Sequence, residues 1–275
     1  MDSSVPPDPP PVRPRRLSRR TFGRFLIGGA VLAPVLAACG LGDGRERIAY
    51  GEHPDQFGEF AAPERGEPRG TVVVMHGGFW RSDTGVDRMR PLVAALVGAG
   101  FATWNIEYRK VDAGFGWSAP FDDVAAAVEH LAQLDVDAGR VYALGHSAGG
   151  HLALWLAARS GRTRQVPPGV AVNGVVSVAA MFDLVTVDGL GEPGEAAAAA
   201  SPTAWLPLGV PSVCVHGTSD PIVPIEQSMS FVAAASAAGD GAELVRVDGA
   251  DHMQVIDIVQ PGWAMAVRAL DRLAA

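Results

Sequence analysis

Gly145-His146-Ser147-Ala148-Gly149 sets a serine among small residues in the pattern G-x-S-x-G. A serine hydroxyl is a weak nucleophile at neutral pH unless a base takes its proton, and an imidazole base needs an acid to fix its tautomer. The chemistry to look for is acyl transfer, with a histidine and a carboxylate elsewhere in the chain. Seven histidines are available. His53 precedes the sheet core, His76 lies in a glycine loop and His130 on a helical stretch. His146 and His151 flank the serine too closely in sequence to reach its Oγ well, and His216 ends a strand. His252 remains, in Val247-Asp248-Gly249-Ala250-Asp251-His252, on a loop from which an imidazole can swing over a nucleophile. Asp220 follows the strand ending at His216 and is the candidate acid. Asp183 is its rival, and Asp251, adjacent to the base, reads as solvated. The order Ser147, Asp220, His252 is nucleophile, acid, base.

Attack on a carbonyl places negative charge on its oxygen, and backbone N–H groups can converge on that charge where glycine lets the chain approach. His76-Gly77-Gly78-Phe79-Trp80 has this composition and follows the apolar run Thr71–Met75. Gly78 and Phe79 are the expected donors, joined by Ala148, the residue after the nucleophile. Trp80, Phe115 and Trp117 are expected to line a substrate pocket.

These groups need a scaffold. Short apolar runs at Arg47–Tyr50, Thr71–Met75, Ala102–Glu107, Arg140–Leu144, Gly174–Ala179, Ser212–His216 and Leu244–Val247 read as strands. Segments of helical period lie between them at Arg88–Val97, Phe121–Leu134, Gly150–Arg159, Ile225–Ala238 and Trp263–Leu273. Alternation of this kind predicts an α/β fold, a mostly parallel sheet of about eight strands with helices on both faces. Val185–Pro207, with Gly, Pro and an alanine run, is the one place for a small lid.

The four blocks in this order resemble the α/β-hydrolase superfamily. Within it they resemble esterases of the hormone-sensitive-lipase type and the kynurenine formamidase group, whose His-Gly-Gly-aromatic-Trp loop His76–Trp80 matches. The resemblance spans roughly residues 68 to 275, after first strands and a linker in 39–67. Glu107-Tyr108-Arg109 and Pro120–Leu131 with Asp123 also look like family segments, read as mainly structural. The resemblance implies a serine carboxylesterase acting on a small-molecule ester through an acyl-enzyme, with the short lid pointing to small acyl groups. Arylformamide hydrolysis is the second reading and peptidase action the third, although related peptidases carry an extra N-terminal domain. A non-catalytic, hydrolase-like binding protein is the fourth; such proteins usually lose the serine, the histidine or the loop, and none is lost here.

Composition narrows the alternatives. With 48% hydrophobic and 19% charged residues, the chain can build a core and is not disordered. A formal charge of -8 with no Lys/Arg cluster beyond residue 24 leaves no basic face for nucleic acid. Lys110, the only lysine, lies in no glycine-rich phosphate loop, so Walker-type chemistry is excluded. Cys39 and Cys214 have no metal-like spacing with each other or the histidines, so neither a metal nor a cofactor is expected. Cys214, in Pro211–Val215, reads as a buried thiol.

The N-terminus reads as an address. Ser18-Arg19-Arg20-Thr21-Phe22-Gly23 resembles a twin-arginine export signal, and the uncharged stretch Phe25–Ala38 is shorter than the roughly 20 residues that span a bilayer. Leu36-Ala37-Ala38-Cys39-Gly40 resembles a lipoprotein cleavage box. The expectation is cleavage before Cys39, lipid on its thiol, and an exported protein anchored on the outer face of the cell membrane. An ordinary secretory signal or an uncleaved anchor are the alternatives.

Overall fold

A computed structural model describes residues 39–40, 44–162, 170–184 and 200–275. The export segment and residues 185–199 of the expected lid lie outside the described residues. The strands are β1 (Cys39–Gly40), β2 (Glu46–Ala49), β3 (Phe57–Ala61), β4 (Thr71–Met75), β5 (Ala102–Ile106), β6 (Val141–His146), β7 (Val172–Val178), β8 (Ser212–Gly217) and β9 (Ala242–Val247). They form one sheet in the order β1-β2-β3-β5-β4-β6-β7-β8-β9. From β5 to β9 every neighbouring pair is parallel, while β1, β2 and β3 join antiparallel at one edge.

Parallel neighbours need long crossovers, and helices supply them: α1 (Arg90–Gly98), α2 (Ser118–His130), α3 (Ala148–Arg162), α4 (Glu226–Ala237) and α5 (Pro261–Leu273). They divide between the two faces. Val73, Trp104 and Ala143 pack with Val124 of α2, Leu152 of α3 and Phe231 of α4. Val72, Val74 and Leu144 pack with Leu96 of α1 and Leu270 of α5. Covered on both sides, β4 is buried at every residue, which is why Thr71-Val72-Val73-Val74-Met75 shows no polar alternation.

Phe57–Ala61, which the sequence leaves outside the strands, is a correction to the expected element list. Its inward Glu59 breaks the apolar run, yet it is buried because Arg90 (2.6 Å) and Arg45 (3.1 Å) pair with its carboxylate. Gly58 serves close packing: a Cβ there would stand 2.5 Å from the Trp104 ring.

The strand order also fixes where a site can form. From β4 the chain crosses to β5 on one side and later returns to β6 on the other, so the loops leaving β4 and β6 diverge. A crevice opens at such a switch point, at the carboxyl ends of the strands. The His76 loop follows β4 and Ser147 follows β6.

Candidate active site

Ser147 is the single residue between the end of β6 and the start of α3, and its φ of 54° lies in the left-handed region. Such a backbone is strained for a side chain with a Cβ and persists only where its surroundings enforce it. They do so here. Ser147 N–H donates to the Val178 carbonyl at 2.8 Å, and His151 N–H closes the first helical turn on the Ser147 carbonyl at 3.1 Å. A Cβ on Gly145 would fall on the backbone of Gly149, and one on Gly149 would stand 2.5 Å from the His76 carbonyl oxygen. Small residues are thus required on both sides of the serine. Its Oγ is buried and has no hydrogen-bond partner among the described residues.

The loop after β8 carries Asp220, and the loop after β9 carries His252, with Nδ1 of His252 2.7 Å from Oδ2 of Asp220. Since a carboxylate only accepts, Nδ1 carries the hydrogen and Nε2 is left as the basic nitrogen. Asp220 Oδ1 accepts from Ile222 and Val223 N–H, both at 2.9 Å, and His216 Nε2 lies 3.3 Å from Oδ2. Burial by itself would raise this carboxyl, but hydrogen bonds from His216, His252 and Val223 outweigh it and hold it well below the usual carboxylate range. Asp183, the rival acid, is tied through its backbone N–H and carbonyl to Gln227.

His146, which its place beside Ser147 in the chain disqualifies as the base, has a different task. Its Nε2–H donates to the His252 carbonyl at 2.9 Å, and the two rings are 4.7 Å apart. Burial pushes this imidazole down to about 3, so it stays neutral while it holds the His252 loop. Sequence offers no signal for this role beyond the histidine itself, because the contact joins the end of β6 to a loop far away in the chain.

Beside the elbow, Gly78, Phe79 and Trp80 take φ values of 112°, 52° and 56°. Three left-handed residues in succession turn the chain sharply, and Arg81 N–H closes the turn on Gly78 O at 2.9 Å. A Cβ on Gly77 would stand 2.8 Å from His146 O and 3.0 Å from Ser147 Cβ, so the loop lies directly against the serine. Ala148 is buried at the first position of α3.

Two of the three expected pocket residues meet. Trp80 is buried, and its ring stands edge-on to Trp117 at 5.2 Å and to His151 at 5.2 Å. Phe121 and Trp205 complete the aromatic surround of His151. Phe115 packs on His53 at 4.8 Å and under the Arg109 guanidinium at 5.4 Å. Cys214 is buried and free, and burial pushes its thiol up to about 12. Among the described residues no group of three His, Cys, Asp or Glu side chains is placed to hold a metal ion.

Comparison with known proteins adds a family. The BD-FAE family model matches residues 60–234, a span that includes Ser147 and Asp220 and stops short of His252. Esterase LipQ of Mycobacterium tuberculosis is 30% identical over 206 residues, covering 65% of this chain and 48% of that protein. The chain therefore spans about half the length of this relative. Among solved structures, a truncated carbohydrate esterase from gut microbiota superposes with a TM-score of 0.70 at 19% identity, over 83% of this chain and 95% of the other. An esterase of the planctomycete Thermogutta terrifontis superposes with a TM-score of 0.67 at 23% identity, over 84% and 91% of the two chains. At these identities the structural likeness establishes the fold, that of the α/β-hydrolase esterases.

Proposed function

This chain belongs to the BD-FAE family, and from that premise we propose that it is a serine carboxylesterase cleaving small carboxylic esters through an acyl-enzyme. The observation that carries the reading is the approach of four loops, those after β4, β6, β8 and β9, the His146 ring beside Ser147 standing 4.7 Å from the His252 ring. Ser147 stands on a strained elbow, the left-handed loop 78–80 lies against it, and His252 is presented by Asp220 at 2.7 Å. In the reaction Ser147 Oγ attacks the carbonyl carbon and its proton passes to His252 Nε2. The Gly78, Phe79 and Ala148 N–H groups receive the oxyanion. Collapse breaks the ester C–O bond, and His252 returns the proton to the departing alkoxide. Water, deprotonated by His252, then attacks the acyl-enzyme; its collapse releases the acid and returns a proton to Ser147.

The Trp80–Trp117 pair supports a second reading, since it could receive an aryl ring as arylformamide hydrolysis requires. A substrate panel separates the two. Full-length protein is expected to hydrolyse p-nitrophenyl esters of two- to four-carbon acids about tenfold or more faster, in kcat/KM, than formanilide. Faster turnover of formanilide would favour the second reading.

We infer separately, from the sequence alone, that the protein is exported and held on the outer face of the cell membrane by lipid on Cys39. Each buried CH₂ contributes about 0.8 kcal/mol, and one chain anchors only weakly, so a multiply acylated cysteine is the stable form. Cys39→Ser is expected to abolish labelling by a fatty-acid analogue and to release the protein from membranes. Unchanged attachment of that variant would point to an uncleaved apolar anchor instead.

A further inference from the structure

His216 has no task in the acyl-transfer scheme, yet its ring lies behind the acid. It stands two residues on from Cys214 in β8, so both side chains project from the face that packs with Phe231 of α4. The ring is fully buried, as is the carboxylate of Asp220 four residues later. Its Nδ1 is 2.7 Å from Oγ of Ser228, a buried residue one turn before Phe231 in α4. A buried imidazole with a partner at each nitrogen is a built arrangement, since burying such a group costs free energy unless its hydrogen bonds are met.

Nε2 meets two acceptors, the Val223 carbonyl at 2.9 Å and Asp220 Oδ2 at 3.3 Å. A carbonyl only accepts. Asp220 only accepts as well, because burial, which would raise its carboxyl, is outweighed by the hydrogen bonds that keep it ionised. Nε2 therefore carries a hydrogen whatever the state of Nδ1, since the Ser228 hydroxyl can give a hydrogen to Nδ1 or take one from it. The shorter contact, to Val223, receives the bond, and the positive edge of the same N–H faces Oδ2. Val223 in turn gives its own N–H to Asp220 Oδ1 at 2.9 Å, beside that of Ile222 at 2.9 Å. One imidazole thus ties down a residue that holds one carboxylate oxygen and faces the other oxygen itself, which is the one 2.7 Å from His252 Nδ1. Pro221 and Pro224 fix two φ angles of this turn but have no N–H to close it.

We propose that His216 is a positioning residue for the acid: its Nε2–H, braced from behind by Ser228, holds Val223 and the Asp220 carboxylate in the orientation that keeps Oδ2 on His252 Nδ1. That the Asp220–His252 pair serves acyl transfer rests on the esterase reading above; the hydrogen-bond chain Ser228, His216, Asp220, His252 does not.

His216→Met matches the reach of the ring from Cβ to Nε2 but offers no donor. A carboxylate freed on one side samples orientations that miss His252, so the chemical step slows while substrate binding does not. The expected kcat is lower by roughly 10- to 100-fold with KM within about twofold, the scale on which outer partners that orient imidazoles and carboxylates act at metal sites. His216→Gln, whose amide nitrogen lies as many bonds from Cβ as Nε2 and donates, is expected to return kcat to within about threefold of wild type. A packing role alone would add to any other loss. In Asp220→Asn, by contrast, His216→Met is expected to cost less than about twofold more, because the residue acts through the carboxylate already removed. Two resonances report without turnover. The His252 Nδ1–H proton is expected to give a far-downfield ¹H line that weakens or moves upfield in His216→Met and returns in His216→Gln, and ¹⁵N shifts of wild-type His216 are expected to place a hydrogen on Nε2. A His216→Met enzyme with wild-type kcat, a His216→Gln enzyme as slow as His216→Met, full additivity with Asp220→Asn, or a bare Nε2 in the wild type would each overturn the proposal. Should His216→Met fail to fold, the wild-type ¹⁵N shifts and the His252 line of His216→Gln decide. If the wild-type protein cleaves no ester, the esterase reading fails, and the ¹H and ¹⁵N resonances alone decide whether His216 positions the acid.

Discussion

Alanine in place of Ser147 is expected to lower ester turnover by roughly 10⁶ in kcat, the scale of loss for a triad nucleophile in a well-characterised protease. The same variant should fold as the wild type does. Ser147 Oγ has no hydrogen-bond partner among the described residues, and alanine meets the same left-handed backbone that serine already tolerates. Loss of rate at an unchanged thermal midpoint would therefore report chemistry. A purified variant that keeps near wild-type turnover would remove Ser147 from the reaction.

Asp220→Asn is expected to cost roughly 10⁴ in kcat, through the tautomer of His252. The asparagine carbonyl can still accept from Ile222 and Val223 N–H, which occupy Oδ1 in the native loop. Its amide nitrogen then faces His252 Nδ1 as a donor. The imidazole answers by moving its hydrogen to Nε2, and the basic nitrogen disappears. Asp183→Asn should leave turnover nearly intact, because Nδ1 of His252 is already held by Asp220 at 2.7 Å. A larger loss from Asp183→Asn than from Asp220→Asn would reverse the assignment of the acid.

The parts of this arrangement legible in the sequence are those governed by local rules. Thr71–Met75 and Ser212–His216 read as strands because strands buried on both faces are apolar throughout, and G-x-S-x-G at a strand-to-helix junction is a steric requirement. Boundaries were less clear: α2 begins at Ser118, since Pro120 fits a first turn where its missing N–H costs nothing. The strand Phe57–Ala61 was hidden by Glu59, whose charge is tolerable only because two arginines from other segments reach it. The closeness of His146 to Ser147 in the chain hides its partner, the His252 carbonyl, 106 residues away. Phe115 shares its aromatic type with Trp80 and Trp117, and the fold packs it on His53. Lys110 spoke in the sequence only against a phosphate loop. Its place beside His76 arises from the turn after β5, where tertiary contacts alone decide which buried charges meet.

The central claim, that Ser147 is the nucleophile, is tested most directly by treating the full-length protein with a fluorophosphonate and mapping the adduct by mass spectrometry. The account predicts one adduct per chain, on Ser147, formed in step with loss of ester hydrolysis and slowed strongly in Asp220→Asn. An enzyme that hydrolyses esters yet takes no label, or takes it on another residue, would contradict it.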